Sequence, residues 1–342
     1  MTTHQMTDEF DDIRAYRTGW LLPLTDTLLA FPLLQVWAWR TTTELRLDYL
    51  GDRKQIEHDI KHGAFFMTNH RDIIMDASWL SFRLRTRYGI RPYMGIGDNL
   101  FAQKWIEWLV RYNRCFVVKR GAGAHAQLEN ARHLSAYIHM LREKGQSIWL
   151  AQREGRAKDS NDLTQPSVLH MLTMNGIEEN GAFLSNVKAL NICPVSITYE
   201  YDPCDYLKAA EMQLRRDNPK WRKSKHDDVV SMKTGIRGQK GRVVFRLTPS
   251  INPEIDAMLD AHPEYRQLPV HEQVQLVCNI IDRHIHAGYE IFERGTDFDR
   301  YIESRIAMID IPGKDEPFLR EKLYEMYRNP VINHRKCMEE NK

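Results

Sequence analysis

Short apolar or alternating runs, bounded by Gly, Asn or Pro, recur along the chain with the period of β-strands. One of them, GAFFMTN, has the pattern of a short buried strand, and it leads directly into the polar stretch NHRD. The seven runs are TTELRLDYLG (42–51), GAFFMTN (63–69), RPYMGIG (91–97), RCFVVKRG (114–121), QSIWLAQREGR (146–156), NICPVSITYEY (191–201) and GRVVFRLTPSINP (241–253). These runs predict seven strands.

Helical spacing of apolar residues separates many of these runs. It is found in DIIMDASWLSFRLR (72–85), DNLFAQKWIEWLVRY (98–112), HAQLENARHLSAYIHMLREKG (125–145), QVQLVCNIIDRHIHAGYEIF (273–292) and the charged stretch after Pro317. Strands that alternate with helices of this length predict an α/β fold, with a mixed or mostly parallel sheet covered by helices on both faces. The last two stretches predict C-terminal helices.

Residues 19–39, GWLLPLTDTLLAFPLLQVWAW, are long enough to cross a bilayer, since about 20 residues suffice. Asp26, Pro23 and Pro32 make a poor spanning helix, so an apolar helical hairpin is expected instead. Trp residues near both ends favour an interfacial membrane anchor. The alternative is a buried hairpin in the core of a soluble protein.

No linker rich in Pro, Gly or Ser divides the chain, so we predict one main domain with helical additions at both ends. The expected boundaries are 1–45 for a polar segment and the hairpin, 46–250 for the main domain, and 251–342 for a C-terminal helical extension packed on it.

Composition and charge narrow the functional classes only slightly. The chain is 42% hydrophobic and 27% charged, which is typical of a globular protein, and its net charge is +2. Residues 214–246 carry 11 Lys or Arg against 3 Asp or Glu. Such a cluster is either a solvated face or a surface for anionic partners. The five cysteines lack CxxC spacing, which argues against a disulfide framework or a cysteine zinc site.

Three enzyme classes are excluded because the chain lacks their motifs: protein kinases, phosphate-loop nucleotide-binding enzymes and hydrolases with a GxSxG nucleophile elbow. In a protein kinase, the HRD motif is followed five residues after its Asp by an Asn, but here that position is Ala77 and no DFG follows. The chain also lacks a GK[ST] phosphate loop and a GxSxG nucleophile elbow. These classes are therefore excluded.

His70 lies at a predicted strand-to-helix turn, where a side chain projects from the edge of the sheet into a cleft. A general base must be within hydrogen-bond reach of the proton it removes, and an acidic partner fixes the imidazole tautomer. Asp76 and Asp72 are the two candidates for that partner, and Asn69 is expected to cap the turn.

Four segments in this order, NHRDIIMD, NRCFVVKRGAG, AQREGRAKDSND and ICPVSITYEYDP, resemble the successive motifs of the glycerolipid acyltransferase superfamily, whose members include glycerol-3-phosphate and lysophosphatidate acyltransferases of the PlsC type. The resemblance covers roughly residues 65–203. It implies that His70 is the general base. The family pattern places the Asp at the fifth residue after His, but here that residue is Met75. One extra residue in the turn would return Asp76 to the imidazole, and this is the arrangement we expect, with Asp72 as the alternative.

The resemblance also implies a substrate-binding set around the base. In this set, the lysine and arginine side chains bind the phosphate of the acceptor, and Glu154 orients them. The segment that begins at Pro194 forms an apolar wall near the acyl chain. The implied residues are Asn69, Lys119, Arg120, Arg153, Glu154, Gly155, Arg156 and Pro194.

The function implied is O-acyl transfer from an acyl thioester, either acyl-CoA or acyl carrier protein, to a glycerol-phosphate-type acceptor such as lysophosphatidate or glycerol 3-phosphate in phospholipid biosynthesis. No cofactor, metal or nucleic acid is expected. The expected location is the cytoplasmic face of the membrane, on the phospholipid surface, as a peripheral or monotopic protein. Two alternatives remain at this point: a non-catalytic lipid-binding protein with the same cleft, and an acyltransferase for a non-phosphate acceptor.

Overall fold

The computed structural model describes residues 31–97, 114–119, 123–174 and 182–340. Most of the predicted N-terminal hairpin and the predicted helix over 98–112 lie outside these ranges. Within them, no helix is both long enough and apolar enough to cross a bilayer. The domain boundaries stay a prediction.

Seven strands form one mixed sheet, and each lies within a stretch predicted to be a strand. They are β1 (Thr42–Tyr49), β2 (Phe65–Thr68), β3 (Tyr93–Gly97), β4 (Cys115–Val118), β5 (Ile148–Ala151), β6 (Ile192–Tyr199) and β7 (Gly241–Leu247). Their order across the sheet is β1-β7-β6-β2-β5-β3-β4. Every neighbouring pair is parallel except β6 and β7. The predicted α/β class with a mostly parallel sheet is confirmed.

Twelve α-helices accompany the sheet in the described part of the chain. They are α1 (Phe31–Thr41), α2 (Arg53–Lys61), α3 (Met75–Tyr88), α4 (Ala124–Glu143), α5 (Pro166–Leu172), α6 (Ala182–Leu190), α7 (Asp205–Asp217), α8 (Lys225–Arg237), α9 (Asn252–Ala261), α10 (Val270–Ala287), α11 (Phe298–Ala307) and α12 (Glu316–Glu340). The sequence patterns predicted α3, α4, α10 and α12. α1 overlaps the C-terminal part of the predicted hairpin. The remaining helices were not predicted, because brief amphipathic segments give a weak periodic signal.

Both faces of the sheet are covered because consecutive residues of a strand point to opposite faces. Phe65 and Met67 of β2 belong to a core shared with α4, α5, α6 and α10. Phe66 belongs to the opposite core, which contains Met75 and Trp79 of α3. The parallel strands β6, β2, β5, β3 and β4 end at one edge, and their following loops meet there.

Candidate active site

The polar turn after β2 connects the sheet to α3 and is stabilised by one of its own carboxylates. Asp72 accepts hydrogen bonds from the backbone N–H groups of Ile74 (2.9 Å) and Met75 (2.8 Å), the residues at which α3 begins. The expectation that Asn69 caps this turn was wrong. The Asn69 amide instead accepts from Ile197 N (2.7 Å) and donates to Ile197 O (2.9 Å), so it joins β2 to β6.

The structure brings Asp76, rather than Asp72, to the imidazole of His70. His70 Nδ1 lies 2.9 Å from Asp76 Oδ2. Asp76 is the second residue of α3 and is fully buried, whereas the His70 side chain is 13% exposed. The turn therefore absorbs the one-residue displacement from the family spacing. The catalytic roles of these residues stay predictions.

Asp76 is held by three further donors. Its Oδ2 accepts from the backbone N–H groups of Arg71 (2.6 Å) and Asp72 (2.9 Å), and its Oδ1 accepts from the hydroxyl of Tyr199 (2.8 Å). An ionised carboxylate only accepts hydrogen bonds, so the proton of neutral His70 is on Nδ1. The Nε2 lone pair is then available to accept a proton.

Asp72 has a different environment from Asp76, although both are buried. Burial raises the pKa of Asp72, and the negative charge of Asp76 raises it further. On its other side Asp72 contacts α8 so closely that a Cβ at Gly235 would lie 1.8 Å from Asp72 Oδ2. Asp72 is therefore held between the turn and α8.

Arg156 lies in the loop after β5, and β5 is the direct neighbour of β2. Its side chain is almost fully buried, and its Nη1 has no hydrogen-bond partner among the described residues. Burial by itself would lower the pKa of Arg156, but the nearby Cys204, Asp202 and Asp72 raise it overall. A buried cationic donor without a partner is suited to an anionic ligand.

Further buried charges that the sequence analysis did not select surround this edge of the sheet. Arg71 Nη2 pairs with Asp162 Oδ2 at 2.6 Å, and Lys208 Nζ pairs with Asp202 Oδ2 at 2.5 Å. Burial by itself would raise the pKa of Asp202, but Lys208 and Arg156 lower it. The polar segments after β5 and β6 were the available signal for Asp162 and Asp202. Arg71 is distant from Asp162 in sequence, whereas Lys208 lies six residues after Asp202.

The other predicted binding residues occupy varied positions. Lys119 is partly exposed just after β4, which is separated from β2 by β5 and β3, so the two strand axes are about 14 Å apart. Arg153 is partly exposed, whereas Glu154 and Gly155 are exposed in the loop after β5. Pro194 is buried within β6, opposite Met67 of β2. Arg120 lies outside the described residues.

Comparison with known proteins gives one family. Residues 49–197 match the family model described as Acyltransferase. A search of curated proteins gave no match. The matched segment contains the His70 turn and the Arg156 loop, and it ends within β6. Residues 49–197 therefore form an acyltransferase domain, and together with the four motifs this match supports the glycerolipid acyltransferase superfamily for that domain.

Proposed function

We propose that this acyltransferase moves a fatty acyl group from an acyl thioester to the hydroxyl of a glycerol-phosphate-type acceptor, with His70 as the general base. The observation that carries the proposal is the 2.9 Å contact between His70 Nδ1 and the buried Asp76 Oδ2. It leaves Nε2 of a partly exposed imidazole as the proton acceptor at the edge of the sheet where the loops meet.

The proposed step needs no covalent acyl-enzyme. His70 Nε2 takes the proton of the acceptor hydroxyl while the hydroxyl oxygen attacks the thioester carbonyl carbon. The tetrahedral intermediate then collapses, the C–S bond breaks, and the His70 imidazolium returns the proton to the leaving thiolate. Asp76 stabilises the imidazolium and fixes its orientation, as the carboxylate does in a Ser-His-Asp triad. The products are an ester and a free thiol.

The unpartnered Arg156 Nη1 supports a phosphate on the acceptor. A guanidinium binds phosphate oxygens through charge-assisted hydrogen bonds, which are stronger than neutral ones. In this proposal Arg156 is the nearest phosphate ligand to the base, because β5 adjoins β2. Lys119 would bind a part of the acceptor or donor farther from His70, because it follows β4, the outermost strand of the sheet. The role of Arg120 stays a prediction.

Membrane association is proposed for the face formed by α1 and α8. Leu33, Val36 and Trp39 of α1 are 50%, 43% and 78% exposed. Gln239 after α8 donates to the carbonyl of Arg40 (2.9 Å), and α8, which contacts α1, carries the exposed cations Lys233 and Arg237. Exposed apolar and aromatic residues next to cations are suited to an anionic phospholipid surface at the cytoplasmic face.

The reaction is tested by release of free thiol from long-chain acyl-CoA and, separately, from acyl carrier protein. Lysophosphatidate, glycerol 3-phosphate and a monoacylglycerol without phosphate are offered as acceptors. We expect phosphate-acceptor-dependent release that falls at least ~10³-fold in His70→Ala. His133→Ala, which removes an exposed histidine of α4, is the matched control and should keep full activity.

Three results would contradict parts of the proposal. Release unchanged in His70→Ala would remove His70 as the base. Equal rates with the phosphate-free acceptor would favour the alternative of a non-phosphate acceptor. Lipid binding without turnover would favour a binding protein, although the feature that first suggested this alternative, the displaced aspartate, is compensated by the turn.

Membrane association is tested by cosedimentation with vesicles of phosphatidylethanolamine and phosphatidylglycerol. We expect Trp39→Ala and the charge reversal Lys233→Glu/Arg237→Glu each to reduce the bound fraction. Ile332→Ala, which alters another exposed apolar residue, on α12, should not. Equal binding of all variants would place the membrane contact elsewhere.

A further inference from the structure

We propose that Tyr199 is a positioning residue for acyl transfer: its hydroxyl holds Asp76 Oδ1 so that Oδ2 faces His70. This inference rests on the proposed role of His70 as the base. Tyr199 lies outside the segment that matches the family model, which ends at residue 197.

The distribution of donors around Asp76 is uneven. Oδ2 receives His70 Nδ1 and the backbone N–H groups of Arg71 and Asp72, whereas Oδ1 receives only the Tyr199 hydroxyl among the described residues. Three donors on one oxygen set its position, but the rotation of the carboxylate also depends on the second oxygen. Without Tyr199, Oδ1 would be a buried acceptor without a partner, which costs about 1–3 kcal/mol.

The sheet register explains why a residue of β6 reaches this carboxylate. Thr68, the last residue of β2, pairs with Val195, so β6 continues four residues beyond the end of β2. Four residues of a strand cover about 13 Å. The end of β6 therefore extends beside the turn after β2, where it delivers the Tyr199 side chain to the first turn of α3.

Tyr199 is suited to act as a permanent donor. Burial and the nearby charge of Asp76 raise the pKa of Tyr199 well above its usual value, so the phenol keeps its proton throughout the working range. The ring lies against Trp79, with centroids 6.3 Å apart, and the side chain is buried. Packing thus fixes the ring, and the ring fixes the direction of the hydroxyl.

The test is Tyr199→Phe, which removes the hydroxyl and keeps the ring. We expect kcat to fall about 10-fold with little change in KM for either substrate. If Asp76 keeps its place, the lost hydrogen bond leaves more negative charge facing the imidazole, so the acid limb of the pH–rate profile moves to higher pH. Tyr301→Phe is the matched control, because it removes a phenol donor to another buried carboxylate, Asp205, away from His70.

A second variant reports even if Tyr199→Phe folds poorly. A fluorinated tyrosine inserted at position 199 has a more acidic phenol, which donates a stronger hydrogen bond, so the acid limb should move to lower pH. The ¹⁵N shifts of the His70 imidazole are followed by pH titration without substrate. The midpoint of this titration should move to higher pH in Tyr199→Phe and to lower pH in the fluorotyrosine variant. This readout does not depend on turnover.

The outcomes separate the two proposals. An inactive His70→Ala together with a Tyr199→Phe whose kcat and acid limb match the wild type would overturn the role of Tyr199 and leave the base intact. An active His70→Ala would overturn the proposed base itself. A lower kcat in folded Tyr199→Phe with no movement of the pH profile or of the His70 shifts would reduce Tyr199 to a packing residue and also overturn the inference.

Discussion

Two polar regions meet at the same edge of the sheet: the His70 turn (residues 69–76) and the β5 loop (residues 152–165). In the His70 turn, every buried side-chain nitrogen or oxygen has a hydrogen-bond partner in the described part of the chain. In the β5 loop four such atoms have none, namely Gln152 Oε1, Arg153 Nε, Arg156 Nη1 and Asp162 Oδ1. The two regions are adjacent and similarly polar, but they differ in whether their buried polar atoms have hydrogen-bond partners within the described part of the protein.

This difference suggests that the His70 turn serves proton transfer and the β5 loop serves ligand binding. A proton-transfer group is effective when its orientation is fixed before substrate arrives, and the His70 turn has that character. A binding group retains capacity for the ligand, and unsatisfied buried donors and acceptors in a native protein call for such an explanation. Two of the four atoms are arginine donors that suit phosphate oxygens, and two are acceptors that suit hydroxyl groups.

The largest expected effect separates the two aspartates of the His70 turn. Asp76→Asn should lower kcat by about 10³–10⁴-fold, because an amide no longer fixes the imidazole tautomer, as in Ser-His-Asp enzymes. Asp72→Asn should lower kcat less than about 10-fold, since the amide oxygen of the new side chain would still accept from Ile74 and Met75. Steady-state kinetics decides this, and a larger loss in the Asp72 variant would reverse the assignment of the two carboxylates.

The next effect concerns the β5 loop. Arg156→Lys keeps the charge but removes the planar donor fork, so KM for a phosphate-bearing acceptor should rise about 10–100-fold, equivalent to roughly 1.5–3 kcal/mol. KM for the acyl donor should change little. Arg142→Lys is the control. Arg142 also has a buried nitrogen without a hydrogen-bond partner, its Nε, but it lies beside Gly63, at the amino-terminal end of β2 and away from the site. A similar KM change in both variants would contradict a specific phosphate contact.

A third prediction disturbs the His70 turn from outside. Gly235→Ala places a Cβ against Asp72 Oδ2, where there is no space, so it should reduce the free energy of unfolding by about 1–3 kcal/mol and lower kcat as the turn shifts. Gly295→Ala, whose added Cβ meets nothing within 4 Å, should be neutral. Urea unfolding of both variants tests this. If the two variants have the same free energy of unfolding, α8 shifts to accommodate the added Cβ without displacing Asp72.

The smallest effect concerns the support of the β5 loop by Asp282 of α10. Asp282 accepts from the backbone N–H of Thr164 (2.7 Å), and burial raises its pKa to about 6. A raised pKa in the folded state gives stability that is complete below about pH 4 and is lost as the pH rises through about 6. Asp282→Asn should therefore stabilise the protein by roughly 1–3 kcal/mol at about pH 8 and by much less at about pH 4.

Thermal unfolding of Asp282→Asn at the two pH values measures this effect. Asp256→Asn, which changes an exposed carboxylate paired with Lys188, should show no such pH dependence. A gain for Asp282→Asn that is equal at both pH values would show that the charge of Asp282 is not what destabilises the loop.

Local pattern was sufficient for much of the fold. All seven strands of the described sheet lie within runs that the sequence marks by composition and by bounding residues, because a buried strand needs a short apolar segment and an outer strand such as β1 alternates polar and apolar residues. The His70 turn was predicted for the same reason, since a polar motif directly after a buried strand has few other places to lie. The choice between Asp72 and Asp76 stayed open because it depends on how many residues the turn uses before α3 begins.

The partners of the site residues could not be predicted from spacing. Tyr199 contacts Asp76 across 123 residues of sequence, and Asp162 meets Asn69 across 93. Both contacts depend on the order of β6, β2 and β5 in the sheet. Because these neighbouring strands are not consecutive in the chain, local sequence patterns do not predict their order. The basic stretch over 214–246 is similar: Arg216 pairs with Asp315 and Arg246 with Glu290, partners that are distant in sequence.

The sequence by itself therefore determined the strands, the α/β class, the acyltransferase motifs and the identity of His70 as the candidate base. These properties depend on hydrophobic periodicity and on residues that are adjacent in the chain. Only the tertiary structure decided that Asp76 meets the imidazole, that Asp72 joins the turn to α8, and that Arg156 is buried with an unused donor. Those facts depend on strand order, on the four-residue extension of β6 past β2, and on burial, which the linear pattern does not contain.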